Sequence, residues 1–462
     1  MAYRRRTVFW LAVPVAAGLA LLAGWVGLDL LVDGTRPPVA RIATSVLVLD
    51  RNDRLLRPFP VAGGRWRLPV KLADVDPLFI RMLLAFEDRR FYAHRGVDPR
   101  ALLRAGVQLV LNGRIVSGAS TITMQLVRLL EGESTRSPAA KLRQILAALA
   151  MERRVGKDAI LTAYLTKAPY GGNLEGVRAA SLAWLGKEPK QLSPAEAALL
   201  VALPQSPEAR RPDRGRAAAR RARDRVLARA RAAGVIGAAD AAAARREPVP
   251  DRRRALPLLA PHSAARARMR NPRAPIHQLT IDASLQERLE VLATARAELT
   301  GPGVSVAVLV ADHASGQILA SVGSAGLFDR KRDGFIDMTR AVRSPGSTLK
   351  PLIYGLAFED GIAHPSSLID DRPTGFSGYV PSNFDQAFHG TVTVREALQL
   401  SLNVPAIQLL DAVGPGRLLS RMRRAGAAPV LSDASPPGLA IGLGGVGVTL
   451  KGLVSIYGAI AR

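Results

Sequence analysis

Residues 7–28, TVFWLAVPVAAGLALLAGWVGL, form an unbroken apolar stretch without a charge. A helix of these 22 residues extends about 33 Å, enough to cross a hydrocarbon core of roughly 30 Å. Arg4, Arg5 and Arg6 precede it, and Trp10 and Trp25 lie near its ends, where aromatic side chains favour the membrane interface. Pro14 is tolerated in a membrane helix. The pattern predicts one uncleaved signal anchor, with the arginines in the cytoplasm and everything after Asp29 outside it. A cleaved signal peptide has a shorter apolar core of about 7–15 residues. Further along, TSVLVLDRNDRLLRPFP (44–60) reads as a hairpin turning at Asn52–Asp53. Residues 70–205 read as mostly helical, because DPRALLRAGVQLVLNG and KLRQILAALAMERRV place apolar residues at a 3.6-residue period. Ser193, Pro194 and Glu196 give a helix start, and that helix ends before Pro204. From 277 the texture becomes mixed α/β: HQLTI and VSVAVLVADHASGQILASVGS read as strands, the second a hairpin turning at Ala314–Ser315–Gly316.

Between these blocks the composition shifts. Residues 206–275 are rich in Arg, Ala and Pro, and read as a basic helix pair followed by an extended linker. The whole chain of 462 residues has room for about two or three domains. It carries 64 Lys+Arg against 38 Asp+Glu, a formal net charge of +26. An exported basic chain meets anionic lipid head groups and acidic substrates such as pyrophosphate esters, not nucleic acid. The arginine-rich stretch 209–254 would revive a nucleic-acid reading only if it bound DNA in a strongly salt-dependent way. There is no Cys, which excludes disulfides, thiolate zinc sites and a cysteine nucleophile, and 6 His argue against a multi-histidine metal centre.

Two stretches carry candidate chemistry. In the first, the apolar run FIRMLLAF (79–86) ends in Glu87 and Asp88, then RRFYAHRGVDP. Acids usually favour helix N-termini, so a pair at the end of a run is unusual. One acid held against an apolar wall can act as a general acid or base; the alternative is an ion pair with Arg89 or Arg90. Downstream, SGASTITMQL (117–126) clusters Ser117, Ser120, Thr121, Thr123 and Gln125 around Gly118. Such groups suit phosphate or sugar oxygens, or ordinary turns and caps.

Together, EDRRFYAHRGVDP and SGASTITMQL resemble the opening motifs of the family 51 peptidoglycan glycosyltransferases, the lysozyme-like, mostly helical domain of class A penicillin-binding proteins. The resemblance continues through KLRQILAALAMERRVGKDAILTAYL (141–165), APYGGNLEGVRAAS (168–181) and WLGKEPKQLSPAEAALLVALPQSP (184–207). It implies that lipid II is added to a nascent glycan strand. Glu87 would be the general base for the acceptor 4-hydroxyl, with inversion at the anomeric carbon and departure of the pyrophosphate lipid. Asp88, Ser120, Thr121 and Gln125 would line the substrate cleft, and Arg136, Lys141 and Arg143 would face the pyrophosphate. One position departs from the family pattern: the glutamate usual three residues after Lys141 is Gln144. This KLRQ form resembles the 1C-type subgroup. An amide can hydrogen-bond a phosphate or sugar, so Gln144 is expected to bind substrate, but it cannot hold a divalent cation with a charge, and a magnesium or manganese ion accompanying the pyrophosphate stays an open expectation. Glu152, eight residues on from Gln144, falls on roughly the same helix face, or is structural.

The second stretch is AVRSPGSTLKPLIY, with Ser347 and Lys350 three residues apart and so on one helix face. A desolvated lysine can serve as the base for a serine nucleophile. Ser401-Leu402-Asn403 supplies an S-x-N about fifty residues later. With TIDASLQ (280–286), this block is similar to the serine-β-lactamase-like α/β transpeptidase domain of penicillin-binding proteins. The similarity implies that Ser347 attacks D-Ala–D-Ala peptides or penicillin-like β-lactams, Lys350 activates it, Ser401 relays protons and Asn403 holds substrate. No Lys-Thr-Gly or Lys-Ser-Gly follows Asn403. The expectation is therefore a C-terminally truncated, inactive transpeptidase beside complete glycosyltransferase machinery.

The expected organisation is a multidomain α and α/β protein. It comprises a cytoplasmic tail and anchor (1–32), a glycosyltransferase domain (33–215), a basic linker (216–276) and an incomplete transpeptidase domain (277–462). It is expected in the inner membrane as a single-pass protein with its bulk in the periplasm. The rival reading is a non-catalytic scaffold that binds lipid II.

Overall fold

The computed structural model describes residues 22–38, 42–112, 120–132, 137–376, 378–431 and 436–462. Most of the expected anchor, including residues 7–21, lies outside them, as does Arg136. Residues 22–34 are helical (α1), and Arg153 pairs with Asp33 at 2.6 Å and with Asp29 at 2.5 Å. Among the described residues no helix is long and apolar enough to cross a membrane. The chain divides into two compact units, residues 1–47 with 58–256 and residues 48–57 with 257–462.

The expected hairpin is present as β1 (Val46–Leu49) and β2 (Leu55–Phe59). Its turn places Asp53 at φ +64, a conformation that Asp tolerates better than most residues. Residues 48–57 belong with the second unit rather than with the glycosyltransferase block in which the sequence groups them.

The first unit is helical. It contains α2 (Pro77–Glu87), α3 (Pro99–Asn112), α4 (Ile122–Glu131), α5 (Pro138–Arg154) and α6 (Lys157–Lys167). After these come α7 (Val177–Trp184), α8 (Pro194–Ala202), α9 (Arg216–Ala232) and α10 (Ala238–Arg246). A short parallel pair, β3 (Trp66–Arg67) and β4 (Leu174–Glu175), completes it. Helix α8 is the central element. Ala195 and every residue from Ala197 to Ala202 are buried, as expected of a helix apolar all round. It starts with a reciprocal capping box, Ser193 Oγ accepting from the Glu196 N–H and Glu196 Oε2 accepting from the Ser193 N–H. Helices α2 and α9 both pack on it.

The stretch assigned to a basic linker, 216–276, opens with α9, which is part of this core. Ala219, Ala222, Arg223, Val226, Leu227 and Ala230 are buried at the spacing of one helical stripe. Small alanines let α9 approach α8 closely while its arginines point outward. Arg223 is the exception, 1% exposed. Its guanidinium donates to the carbonyls of Glu247 (2.6 Å) and Arg245 (2.9 Å), satisfying the end of α10. The second helix of the expected pair is α10, and the chain after it is extended to Leu259.

The second unit contains α11 (Pro261–Arg270), β5 (Ile276–Gln278), α12 (Ala283–Thr300), β6 (Val308–Ala311) and β7 (Ile318–Val322). Next come α13 (Lys350–Glu359), β8 (Leu368–Asp371), β9 (Gly390–Thr393), α14 (Val394–Gln399) and α15 (Asn403–Val413). It ends with α16 (Pro415–Arg424) and α17 (Leu450–Ala461). The strands form small sheets: β2-β1-β5, β6-β7 and β8-β9. The β6–β7 turn falls where expected, with Gly316 at φ +72. The core lies where Leu349, Ile353, Leu356, Ile407, Leu410, Leu418 and Met422 meet, joining α13, α15 and α16.

One close approach fixes the loop before α3. Gly96 has φ +87, and a Cβ there would stand 2.5 Å from the Ala148 carbonyl oxygen of α5. Gly96→Ala is expected to destabilise the first unit by about 2–4 kcal/mol, combining backbone strain and overpacking. A lowered urea midpoint with an unchanged slope is the expected readout.

Candidate functional site

In the first unit, Glu87 is the last residue of α2 and Asp88 its C-cap. They separate chemically because their neighbours differ. Asp88 is buried, and its carboxylate accepts from His94 Nε2 (2.9 Å) and from the Ile122 N–H (3.0 Å) at the start of α4. Glu87 is half-buried, and each of its oxygens accepts from an amide: Oε2 from Gln125 Nε2 at 2.8 Å, Oε1 from Gln205 Nε2 at 2.7 Å. The apolar wall that the sequence suggested for one of these acids is absent at both: each carboxylate sits among donors. The suggested ion pair is not the outcome either, since Arg90 pairs with Asp98 at 3.1 Å.

Helix α4 starts beside Glu87 and Asp88 because Thr121 is its N-cap, accepting from the Met124 N–H and donating to the Gly96 carbonyl at 2.6 Å. Ser120, one residue earlier, accepts from Lys141 Nζ at 2.9 Å. Lys141 also donates to Gln144 Oε1 at 2.9 Å, and Gln144 Nε2 donates to the Met124 carbonyl at 2.5 Å. Burial and then the nearby Arg128 lower the Lys141 pKa. Arg143 lies on the exposed side of α5. Glu152 accepts from Thr123 (2.5 Å) and pairs with Lys157 (2.6 Å), so it braces α4 against α5.

Glu87, Asp88, Ser120 and Thr121 line one cleft of about 540 Å³, together with Arg89, Arg90, Arg100, Arg104 and Arg229. Gln125 holds Glu87 at the mouth of that cleft, and Lys141 and Gln144 reach it through Ser120. Five guanidinium groups beside Glu87, Asp88 and Asp98 leave the lining cationic, which suits an anionic ligand. Among the described residues no three His, Cys, Asp or Glu side chains converge to hold a metal ion. With Gln144 committed to Lys141 and a backbone carbonyl, the residues present do not fit a protein-held divalent ion.

In the second unit, Ser347 lies in a 3-10 turn (Gly346–Leu349) that feeds α13, whose first residue is Lys350. The pair is therefore joined by a tighter turn than the single α-helix expected, and Ser347 is exposed while Lys350 is 1% exposed. Burial lowers the Lys350 pKa to about 8. Its ammonium donates to Asn403 Oδ1 at 2.6 Å, to Ser401 Oγ at 3.1 Å and to the Ser401 carbonyl. Ser401 and Asn403 are thus brought together at Lys350, and Ser347 lies in the turn that leads into it.

The scans of known families match these two regions separately. Residues 53–231 match the model described as Transglycosylase, and residues 306–428 match the penicillin binding protein transpeptidase domain. The two matches, in this order, resemble the domain pair of the class A penicillin-binding proteins. It is 40% identical to penicillin-binding protein 1C of Escherichia coli over 98% of its own length and 58% of that protein's. It is 28% identical to penicillin-binding protein 1F of Bacillus subtilis over 82% of its length and 54% of that protein's. The chain thus spans little more than half of these relatives. The crystal structure of penicillin-binding protein 1A from Haemophilus influenzae aligns with 90% of the chain and 68% of its own, at a TM-score of 0.45 and 16% identity.

Several residues beside the two candidate sites were not singled out from sequence. In the transglycosylase unit these are Gln205, Arg210 and Tyr164, which surround the Glu87 carboxylate. In the transpeptidase unit they are Asn383 and Asp371. Asn383 Oδ1 accepts from the Asn403 N–H (2.7 Å), and its amide donates to Asp371 (2.8 Å). Both are buried. The only sequence signal for them is polar residues in otherwise unremarkable segments.

Loss of the Asp88–His94 pair leaves a buried carboxylate with one partner fewer. His94→Leu is expected to cost about 3–5 kcal/mol, read as a lower urea midpoint, and to loosen the link between α2 and α4. A midpoint equal to the parent's would show that the pair holds nothing.

Proposed function

We propose that the first unit polymerises lipid II by inverting displacement. The acceptor sugar's 4-hydroxyl gives its proton to Glu87 as its oxygen bonds to the donor's anomeric carbon. The bond from that carbon to the pyrophosphate breaks, and the lipid pyrophosphate leaves with the bonding electron pair. The observation that carries this reading is a half-buried carboxylate, held by two neutral amides, at an arginine-lined cleft. An ionised carboxylate with free lone pairs can take a proton. The cleft guanidiniums stabilise the charge that grows on the leaving pyrophosphate. Lys141 serves the same end through Ser120, and Arg136 and Arg143 are assigned to it by family resemblance. Asp88 fixes the backbone that presents Glu87. Thr121 fixes the start of α4, and Gln144 orients Lys141.

In the second unit Ser347 is the proposed nucleophile toward D-Ala–D-Ala peptides and penicillin-like β-lactams. Lys350 takes its proton, Ser401 relays protons and Asn403 holds the acyl donor. We assign this unit acylation at Ser347. The chain is assigned to the inner membrane as a single-pass protein with its bulk in the periplasm, on the charge pattern flanking residues 7–28. Its partners are then lipid II, the nascent glycan strand and the bilayer.

Glycan polymerisation from labelled lipid II in detergent tests the first assignment. The parent is expected to make polymer, and Glu87→Gln to lose activity by roughly 100-fold or more, the range of a general base. Retained lipid II binding with no polymer from the parent would turn the reading to a binding scaffold. For the second unit, labelling of Ser347 by a fluorescent penicillin is expected to rise with pH and level off above about 8. The sign follows from Lys350, which is protonated below that value and can accept the serine proton only above it. Labelling that is flat across this range, or that survives Lys350→Met, would remove lysine as the base.

A further inference from the structure

We propose that Gln205, aimed by Arg210, is a positioning residue that holds Glu87 in its ionised form and in one plane, opposite the Tyr164–Gln125 pair. The proposal rests on the reading of Glu87 as the proton acceptor, and it adds a residue 118 positions away in sequence.

A glutamine amide has a donor end and an acceptor end of nearly equal shape, so its neighbours decide which end faces where. Arg210 can only donate. Its Nη1 lies 3.1 Å from Gln205 Oε1, which assigns the oxygen to that side and sends Nε2 to Glu87 Oε1 at 2.7 Å. Arg210 is itself fixed by the Ala202 carbonyl at the end of α8, at 2.6 Å. The other oxygen of Glu87 has the same arrangement. The Tyr164 hydroxyl donates to Gln125 Oε1 at 3.2 Å, sending Gln125 Nε2 to Glu87 Oε2 at 2.8 Å. Burial and then the charge of Glu87 push the Tyr164 pKa well up, so its hydroxyl keeps its proton and stays a donor.

Each carboxylate oxygen therefore meets one N–H, and each N–H comes from an amide that cannot turn over without losing its own partner. Hydrogen bonds to the charged form favour that form. Because the donors are neutral, they favour it less than a direct cation would. The charged groups around it are Asp88 and Arg89 beside it in the chain, Arg210 behind Gln205, and Asp98 and the arginines of the cleft. Its hydrogen bonds among the described residues come from the two glutamines.

The test replaces Gln205 in the full chain and reads the ionisation of Glu87 in two ways. One is the acid limb of the polymerisation pH profile. The other is the pH dependence of carbodiimide modification of Glu87, quantified by mass spectrometry, which reports protonated carboxyl groups whether or not polymer is made. Gln205→Leu removes a donor to a charged group and is expected to move both midpoints up by about one pH unit. Gln205→Lys places a cation at the same oxygen and is expected to move them down. Arg210→Met frees the Gln205 amide and is expected to give a smaller upward shift. Opposite shifts in the leucine and lysine variants support the proposal, even if the parent makes no polymer, in which case only the glycosyl-transfer reading falls. Unchanged modification midpoints in both variants, with activity lost or kept, would overturn it and leave Gln205 a packing residue.

Discussion

The Asp88 carboxylate is buried between the ring of His94 and the first N–H of α4. A carboxylate out of water is costly unless its lone pairs are used, and here the partners come from two separate segments. That requirement ties the end of α2 to the start of α4. Glu87 precedes Asp88, and Ser120 and Thr121 precede Ile122, so the tie brings both motifs to one cleft. The Thr121 cap and its bond to the Gly96 carbonyl hold the same junction from the other side. Gly96 can lie against α5 only because it lacks a side chain. Placement of the candidate base thus follows from satisfying one buried acid.

Much of this was legible in the sequence where the signal is local. The capping box at Ser193 and Glu196, the hairpin turns at Asp53 and Gly316, and the end of α2 at Glu87 are each written in a few adjacent residues. The motif residues Glu87, Ser120, Lys350, Ser401 and Asn403 were singled out through family resemblance, and the structure places them at the two candidate sites. What the sequence could not show is how separated segments meet. The two amides on Glu87 come from 38 and 118 residues away, and no periodicity announces such a contact. The arginine-rich stretch misled for a related reason. Composition marks 216–276 as a basic linker, whereas the alanines of 216–232, spaced along one stripe, bury that face on α8 and carry Arg223 into the core with it.

The two candidate sites surround their ionisable groups differently. In the proposed function Glu87 is the base, and both its oxygens accept from neutral amides. Lys350 needs to lose a charge, and the fold buries it while giving its ammonium three polar partners. Those partners depend in turn on a buried pair. Asp371 accepts from Asn383, and Asn383 accepts from the Asn403 N–H. Asn403 opens α15, so the same bond that satisfies a helix N-terminus also sets the side chain that faces the lysine.

Buried polar groups lie beneath both candidate sites. Asp88, His94 and Gln144 lie under the first, and Asp371, Asn383 and Lys350 lie under the second, all nearly inaccessible to solvent. Each is a group that apolar packing alone could replace more cheaply for stability. Apolar contacts, however, fix a side chain only through shape. A hydrogen bond with a defined donor and acceptor also fixes which atom faces the substrate and whether it carries a proton. The sites need that second kind of information, since a general base turned over or protonated is no longer a base.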